Sequence, residues 1–443
     1  MSTASRVRGT PLPAPPPAAL PWPGLLALSA AAFTAVMTEL LPAGLLPSMA
    51  PALGVSEARV GFLVTAYAAA SFLAAVPLTA ALRGLPRRPV LVGALLGLAC
   101  ANALVAVSSS YALTFAARLL AGAMGGTLWA MLVGYAARMV PAERRGRAIA
   151  TVLAGITLAL SLGVPAATAL AGVLPWRTVS VLPALLAALV AGWARRRVPA
   201  FPGEPAHARV PLLRVAGRPG IRPVLSVTLF LLLGHQVMYT YVAPFAAHAG
   251  FGRTGPLLAV FGCATVAGIW VTGALVDRHL RAALLTALTL FSAVLAVLGL
   301  AAGTSGALVG AVALWGVAFG GAPTLIQTAL VDASGPADAD VATSLQTTVY
   351  NAGIAAGSLL GGLTLDGLGP GALPWTALPL VTAALVIVAG GRWYAFPVRR
   401  GGPAGPGRSR PRPDVPDQSP APDAARTPGS SAAARPRGAA PRR

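Results

Sequence analysis

Residues 25–46 read LLALSAAAFTAVMTELLPAGLL, an apolar run interrupted by one ionisable side chain, Glu39, and one proline, Pro42. As a helix at ~1.5 Å per residue the run is roughly 33 Å long, the thickness of a hydrocarbon core of about 30 Å. Apolar windows of similar length recur between charged or Pro/Gly breaks, near 60–82, 89–107, 111–137, 148–170 and 177–194. A second set falls near 223–247, 256–276, 282–302, 306–331, 341–364 and 374–396. Only 10% of the 443 residues are charged and 56% are apolar, a balance that one soluble core could not hide. The expected fold is therefore an all-α membrane protein with twelve transmembrane helices. Arg6 and Arg8 ahead of the first run imitate a secretory signal, but that run is too long, carries Glu39 and leads straight into further spans, so it reads as a retained helix.

Orientation follows from arginine, which resists translocation. The loops after spans two, four, six and eight carry sixteen, among them Arg87, Arg88, Arg144, Arg145, Arg147, Arg195, Arg196 and Arg197, against Arg59, Arg177 and Arg253 on the opposite side. Both termini are expected in the cytoplasm of a bacterial cell, with the chain multi-pass in its cytoplasmic membrane. All 33 basic residues are Arg, which with the abundant Ala, Gly and Pro fits a high-GC genome. The net charge of +21 lies in these loops and the tail, where anionic lipid rather than nucleic acid is the nearer partner. Without a lysine no Walker phosphate loop exists, and Cys100, Cys263 and the four His are too dispersed for a disulfide framework or a metal site. Paired carboxylates and Ser/His/Asp clusters are missing from the spans, which argues against an enzyme.

The chain repeats in outline. Leu46-Pro47 closes the first span and Ala243-Pro244 the seventh, an offset of 197 residues, and similar turns follow each. The reading is a duplicated bundle: 1–23 a disordered lead-in, 24–195 one six-helix half, 196–221 a cytoplasmic linker, 222–396 the second half and 397–443 a disordered Arg/Pro-rich tail.

Within this frame Glu39 lies roughly 21 Å along its helix, past the midplane. An ionised carboxylate there costs several kcal/mol, so it must face the interior, pair, or stay protonated, and a group poised between those states can carry a proton. Pro42 removes the helix bond to the carbonyl of Thr38 and leaves free polar groups beside the acid. Arg118, about seven residues into the fourth span, is deep enough to meet Glu39 in a relay, or to snorkel outward. Gly155, Gly163 and Pro165 give the fifth helix a flat, kinkable face. Trp129, His235, Gln236, Tyr239, Tyr241, Gln327, Gln346, Tyr350 and Asn351 are neutral polar or aromatic residues able to line a cavity for a neutral amphiphile of drug size.

Several motifs carry a resemblance to a known family. Thr38-Glu39 with Gly44-Leu45-Leu46-Pro47 opens the first span, and Arg118-Leu119-Leu120-Ala121-Gly122 is similar to an Arg-x-x-Gln-Gly motif with Ala121 in place of Gln. Gly155 with Gly163-Val164-Pro165, followed by Trp176-Arg177, resembles the antiporter motif, and Gly273-Ala274-Leu275-Val276-Asp277-Arg278 matches a GxLxDR turn. Tyr239-Thr240-Tyr241 with Pro244, and Gly320-Gly321-Ala322-Pro323 with Gln327, fit the seventh- and tenth-span patterns. Together these resemble a major facilitator superfamily transporter, in the twelve-span drug:proton antiporter group close to chloramphenicol-resistance and arabinose-efflux-like permeases. The resemblance implies proton-coupled efflux by alternating access, with Glu39 and Arg118 coupling the proton, and Gly155, Gly163, Pro165, Gly273, Asp277 and Arg278 gating. It implies no cofactor beyond the proton gradient, a monomer, and a small molecule, the proton and the lipid bilayer as partners. The matching first-half turn, Leu82-Arg83-Gly84-Leu85-Pro86-Arg87-Arg88, lacks the family's Asp. A sugar or metabolite exporter of the same fold and a non-transporting receptor or scaffold are the alternatives.

Overall fold

The computed structural model describes residues 20–391, apart from 83, 142–143, 204–219, 253, 302, 304 and 335–338, together with Phe396. The expected linker 196–221 and the two expected disordered ends therefore lie largely outside the described residues. Within them the chain is a succession of long helices without strands.

The first half comprises α1 (Trp22–Leu53), α2 (Glu57–Leu82), α3 (Arg87–Val107), α4 (Tyr111–Arg138), α5 (Arg145–Leu170) and α6 (Trp176–Arg197). The second comprises α7 (Ile221–Thr240), α8 (Thr254–Leu275), α9 (His279–Ala301), α10 (Ser305–Ser334), α11 (Ala339–Leu368) and α12 (Leu373–Gly390). Ten of these, all but α2 and α11, pass as bilayer-crossing by length and hydropathy among the described residues. Cys100 and Cys263 are free and exposed, on α3 and α8.

The helices depart from a simple reading of the apolar windows in three places, each with a chemical cause. Helix α1 starts ahead of Leu25 and continues past Pro47 and Pro51, ending only at Gly54, whose φ of 64° is the left-handed cap that glycine adopts at low cost. The seventh span is broken at Tyr241 (φ −112°, ψ 25°) and resumes as a short helix, Val242–His248. Pro244 has no N–H for the carbonyl of Thr240, which accounts for the break. In α5 a π-turn, Ala159–Gly163, precedes Pro165, which likewise cannot donate to the carbonyl four residues back.

Two hydrophobic cores organise the packing. One belongs wholly to the first half and joins Leu25, Leu28, Leu95, Leu98 and Leu132 to Val190 and Ala194. The other is shared: it runs from Val36–Leu53 of α1 and Val60–Ala68 of α2 into α7, α8, α10 and α12. The halves thus meet towards one end of the bundle, the end of the turns after α1, α5, α7 and α11. Two seams carry this closure, α2 against α11 and the C-terminal part of α5 against α8. Shifting by six helices turns one pair into the other, as pseudo-two-fold halves require. On the α5–α8 seam backbones nearly touch: a Cβ on Gly262 would fall on Leu160 and Ser161, and one on Gly255 would fall on Ala169.

Candidate functional site

A proline within α1 organises the polar interior of the first half. Pro42 leaves the Thr38 carbonyl without its helical donor, and Arg118 of α4 supplies the replacement. Its Nη1 donates to Thr38 O, its Nη2 to the backbone O of Glu39 at 2.8 Å and its Nε to Leu63 O of α2 at 3.0 Å. The guanidinium also lies over the Tyr67 ring, 4.8 Å from its centroid. Arg118 is 2% exposed, so it does not snorkel to an interface; it ties α1, α2 and α4 together through main-chain acceptors. Gly122 and Gly125 let α4 approach this place, since a Cβ on either would run into Tyr67.

Glu39 is 6% exposed, and its Oε1 has no hydrogen-bond partner. Its carboxyl lies within electrostatic range of Arg118 and Tyr67 in its own half and of Tyr350 on α11 of the other. The expected meeting of Glu39 and Arg118 is therefore indirect: the cation grips the backbone of the acid's helix and supplies nearby charge, while the acid's own oxygen stays open. Beside it Asn102 of α3 donates to Thr38 Oγ1 and to Leu98 O, both at 2.9 Å. Tyr67 and Asn102 are not among the residues that the sequence singles out. Asn102 is the one amide in its apolar span and Tyr67 the one tyrosine in its own, and that is the available signal.

Gly155 and Gly163 bring α5 onto α1: a Cβ at Gly155 would strike the Ser29 carbonyl, and one at Gly163 would meet Met37 and Phe33. A Gly155→Val substitution is expected to force α5 away from the acid-bearing helix. The checks are a lower monodisperse yield in detergent and a lower melting temperature than for Gly192→Val, where the added Cβ meets open space.

The remaining expected residues separate into distinct places. His235 and Tyr239 sit inside the second half among Phe261, Phe291, Trp315 and Phe319, with the His235 ring stacked on Phe319 at 3.5 Å. They contribute to an aromatic core from α7 to α10. Tyr241 is fully buried at the α2–α11 seam. Gln236 is buried with Nε2 unpartnered, Gln346 is buried, and Asn351 donates to Thr347 O at 3.0 Å. Tyr350 and Trp129 are half-buried and Gln327 is exposed. Gly273 is exposed, and the side chains of Asp277 and Arg278 lie outside the described residues. No group of three or more potential metal ligands occurs among the described residues.

The sequence profile described as Major Facilitator Superfamily matches residues 28–280 and 254–437. The chain belongs to this superfamily. Among its relatives, the purine ribonucleoside efflux pump NepI of Escherichia coli is 29% identical over 377 residues, covering 82% of this chain and 93% of the relative. A chloramphenicol efflux pump of Mycobacterium tuberculosis is 33% identical over 360 residues, covering 77% and 86%. Solved superfamily transporters share the fold. The human organic anion transporter MFSD10 superposes with a TM-score of 0.61 at 20% identity, over 83% of this chain and 98% of that one. A bacterial homologue of the lysosomal transporter Spinster, in an inward-facing and occupied conformation, gives 0.62 at 15%, over 84% and 95%. The chain is thus a superfamily transporter embedded in a membrane, with efflux pumps among its relatives.

Proposed function

We propose that this transporter exports a small neutral molecule carrying a ring and hydrogen-bonding groups, in exchange for protons, by alternating access. The observation that carries the reading is the Glu39 carboxyl. It is buried, has an oxygen without a partner, and lies within electrostatic range of Arg118 in its own half and Tyr350 in the other. A carboxyl so placed changes its interactions with both halves when it gains or loses a proton, which is what coupling requires.

The relatives support the substrate class. A purine ribonucleoside and chloramphenicol differ in skeleton, yet both are neutral, both present an aromatic face and both carry hydroxyls. Trp129, Gln236, Gln327, Gln346, Tyr350 and Asn351 provide rings and neutral donors and acceptors suited to such a molecule. Gln236 stands 197 residues after Glu39, its counterpart in the other half by the repeat, and both keep an unpartnered buried polar atom.

The arginine-rich turns favour a cytoplasmic location for the end opposite the closed one, in a bacterial cytoplasmic membrane with both termini inside. In that orientation the structure is shut outward. One proton moving down 100 mV releases about 2.3 kcal/mol, which sustains roughly a fortyfold gradient of a neutral solute.

The test uses everted membrane vesicles from pump-deficient bacteria expressing the protein, in which export is read as uptake. An imposed acid-inside pH gradient is expected to drive accumulation of labelled adenosine or chloramphenicol, and a protonophore to abolish it. Uptake indifferent to the protonophore would remove proton coupling. Uptake of neither probe would remove this substrate class and direct the same assay to sugars.

A further inference from the structure

We propose that Tyr241 is a bolt for the closed end of the bundle: a ring lodged between the two halves that has to withdraw before this end can open. Tyr241 occupies the break in the seventh span and is fully buried. Its hydroxyl donates to Ser358 O of α11 at 2.8 Å and lies 3.5 Å from Ala58 O of α2, so one side chain bridges an element of each half. The preceding residue reinforces the anchorage within the second half, with Thr240 Oγ1 2.9 Å from Ser358 Oγ.

The slot around the ring is made of glycine. A Cβ added to Gly61 of α2 would fall on the Tyr241 ring and hydroxyl, and one added to Gly361 or Gly362 of α11 would also meet this side chain. Helix interiors disfavour glycine by about 1 kcal/mol relative to alanine, so three glycines around one ring mark a space shaped for it. The repeat sharpens the contrast. The position 197 residues before Tyr241 is Gly44, where α1 packs so closely on Thr168 of α5 that a Cβ would collide. At this position the first half packs one of its helices directly on another, whereas in the second half a side chain fills the space. The plug belongs to the place where Pro244 has already interrupted the helix, so the backbone at Tyr241 can turn without breaking a regular ladder.

Ser56 and Asp366 straddle the same seam, with Ser56 Oγ 3.5 Å from an Asp366 carboxylate oxygen. This contact supplies a reporter that depends neither on substrate nor on proton coupling, so its outcome is separate from that of the transport assay. In full-length protein carrying Cys100→Ser, Cys263→Ser, Ser56→Cys and Asp366→Cys, oxidation by copper phenanthroline is expected to cross-link the pair, read as protection from maleimide-polyethylene glycol. Adding Tyr241→Ala is expected to slow cross-linking at least about tenfold, and Tyr241→Phe, which keeps the ring, less than about threefold. Gly61→Ala, with the tyrosine intact, is expected to expel the ring and slow the reaction as Tyr241→Ala does, yet to add nothing in the Tyr241→Ala background, where the slot is empty. Size-exclusion profiles confirm folding, and Gly61→Ala carries the test if Tyr241→Ala does not fold. Cross-linking at the parent rate in folded Tyr241→Ala, or in Gly61→Ala, would overturn the proposal.

Discussion

Replacing Glu39 by glutamine is expected to abolish proton-driven accumulation of substrate in everted vesicles while leaving the protein folded. Glutamine is nearly isosteric and keeps a hydrogen-bonding end, but it cannot exchange a proton. An unpaired buried carboxylate is costly, so the change removes a strained group from the interior and is expected to hold or raise the melting temperature. The loss should therefore be a coupling defect: concentrative uptake falls to the level of vesicles lacking the protein, while exchange of labelled for unlabelled substrate across the membrane, which needs no net proton movement, persists. Loss of exchange as well would assign Glu39 to binding instead. Undiminished gradient-driven uptake in Glu39→Gln would remove it from the mechanism altogether.

The second large effect is expected at Arg118. Truncation to leucine leaves the Thr38 carbonyl without a donor and the Glu39 carboxyl without its nearest positive charge, both buried. Breaking buried charged interactions of this kind costs about 3–5 kcal/mol. Lysine keeps the charge but not the fork: one ammonium cannot serve Thr38 O, Glu39 O and Leu63 O in the arrangement the guanidinium does, so Arg118→Lys should retain little of the stability. The assignment of Arg118 to the proline-orphaned carbonyl has its own check. Pro42→Ala restores the N–H that Thr38 O lacks, so Arg118→Leu should be less damaging in that background, by about 1–3 kcal/mol in a double-mutant cycle read from thermal unfolding in detergent. Equal damage in both backgrounds would show that the stabilisation does not pass through the Thr38 carbonyl but through the arginine's charge and its other contacts, to Glu39 O, Leu63 O and the Tyr67 ring.

Much of this site is legible in the sequence. An acid in an apolar run is conspicuous because lipid offers it no solvation, and a proline three residues on points to one particular carbonyl, four residues back, as short of a donor. The donor's identity was only partly readable. Arg118 stands eighty residues from Thr38, and sequence spacing left open whether it turned inward or snorkelled. Tyr67 and Asn102, which complete the surroundings, were hidden because a single tyrosine or asparagine in a span is also an ordinary helix-bridging residue.

His235 and Tyr241 show where such reading stops. By residue type both belong with those able to line a substrate cavity, yet one stacks in an aromatic core within the second half and the other fills the seam between halves. In water a helix advertises its buried face by a polar opposite face; in lipid the outer face is apolar too, so the periodicity that would give the rotation of each helix is faint. The sequence by itself determined that the chain spans a membrane many times, repeats, and carries one acid where an acid must work or be satisfied, because transfer of charge and backbone into hydrocarbon is priced residue by residue. Only the tertiary structure decided which face of each helix turns inward and which end of the bundle is shut, because close packing at glycines and hydrogen bonds between distant helices depend on rotations that lipid-exposed, uniformly apolar surfaces leave unmarked.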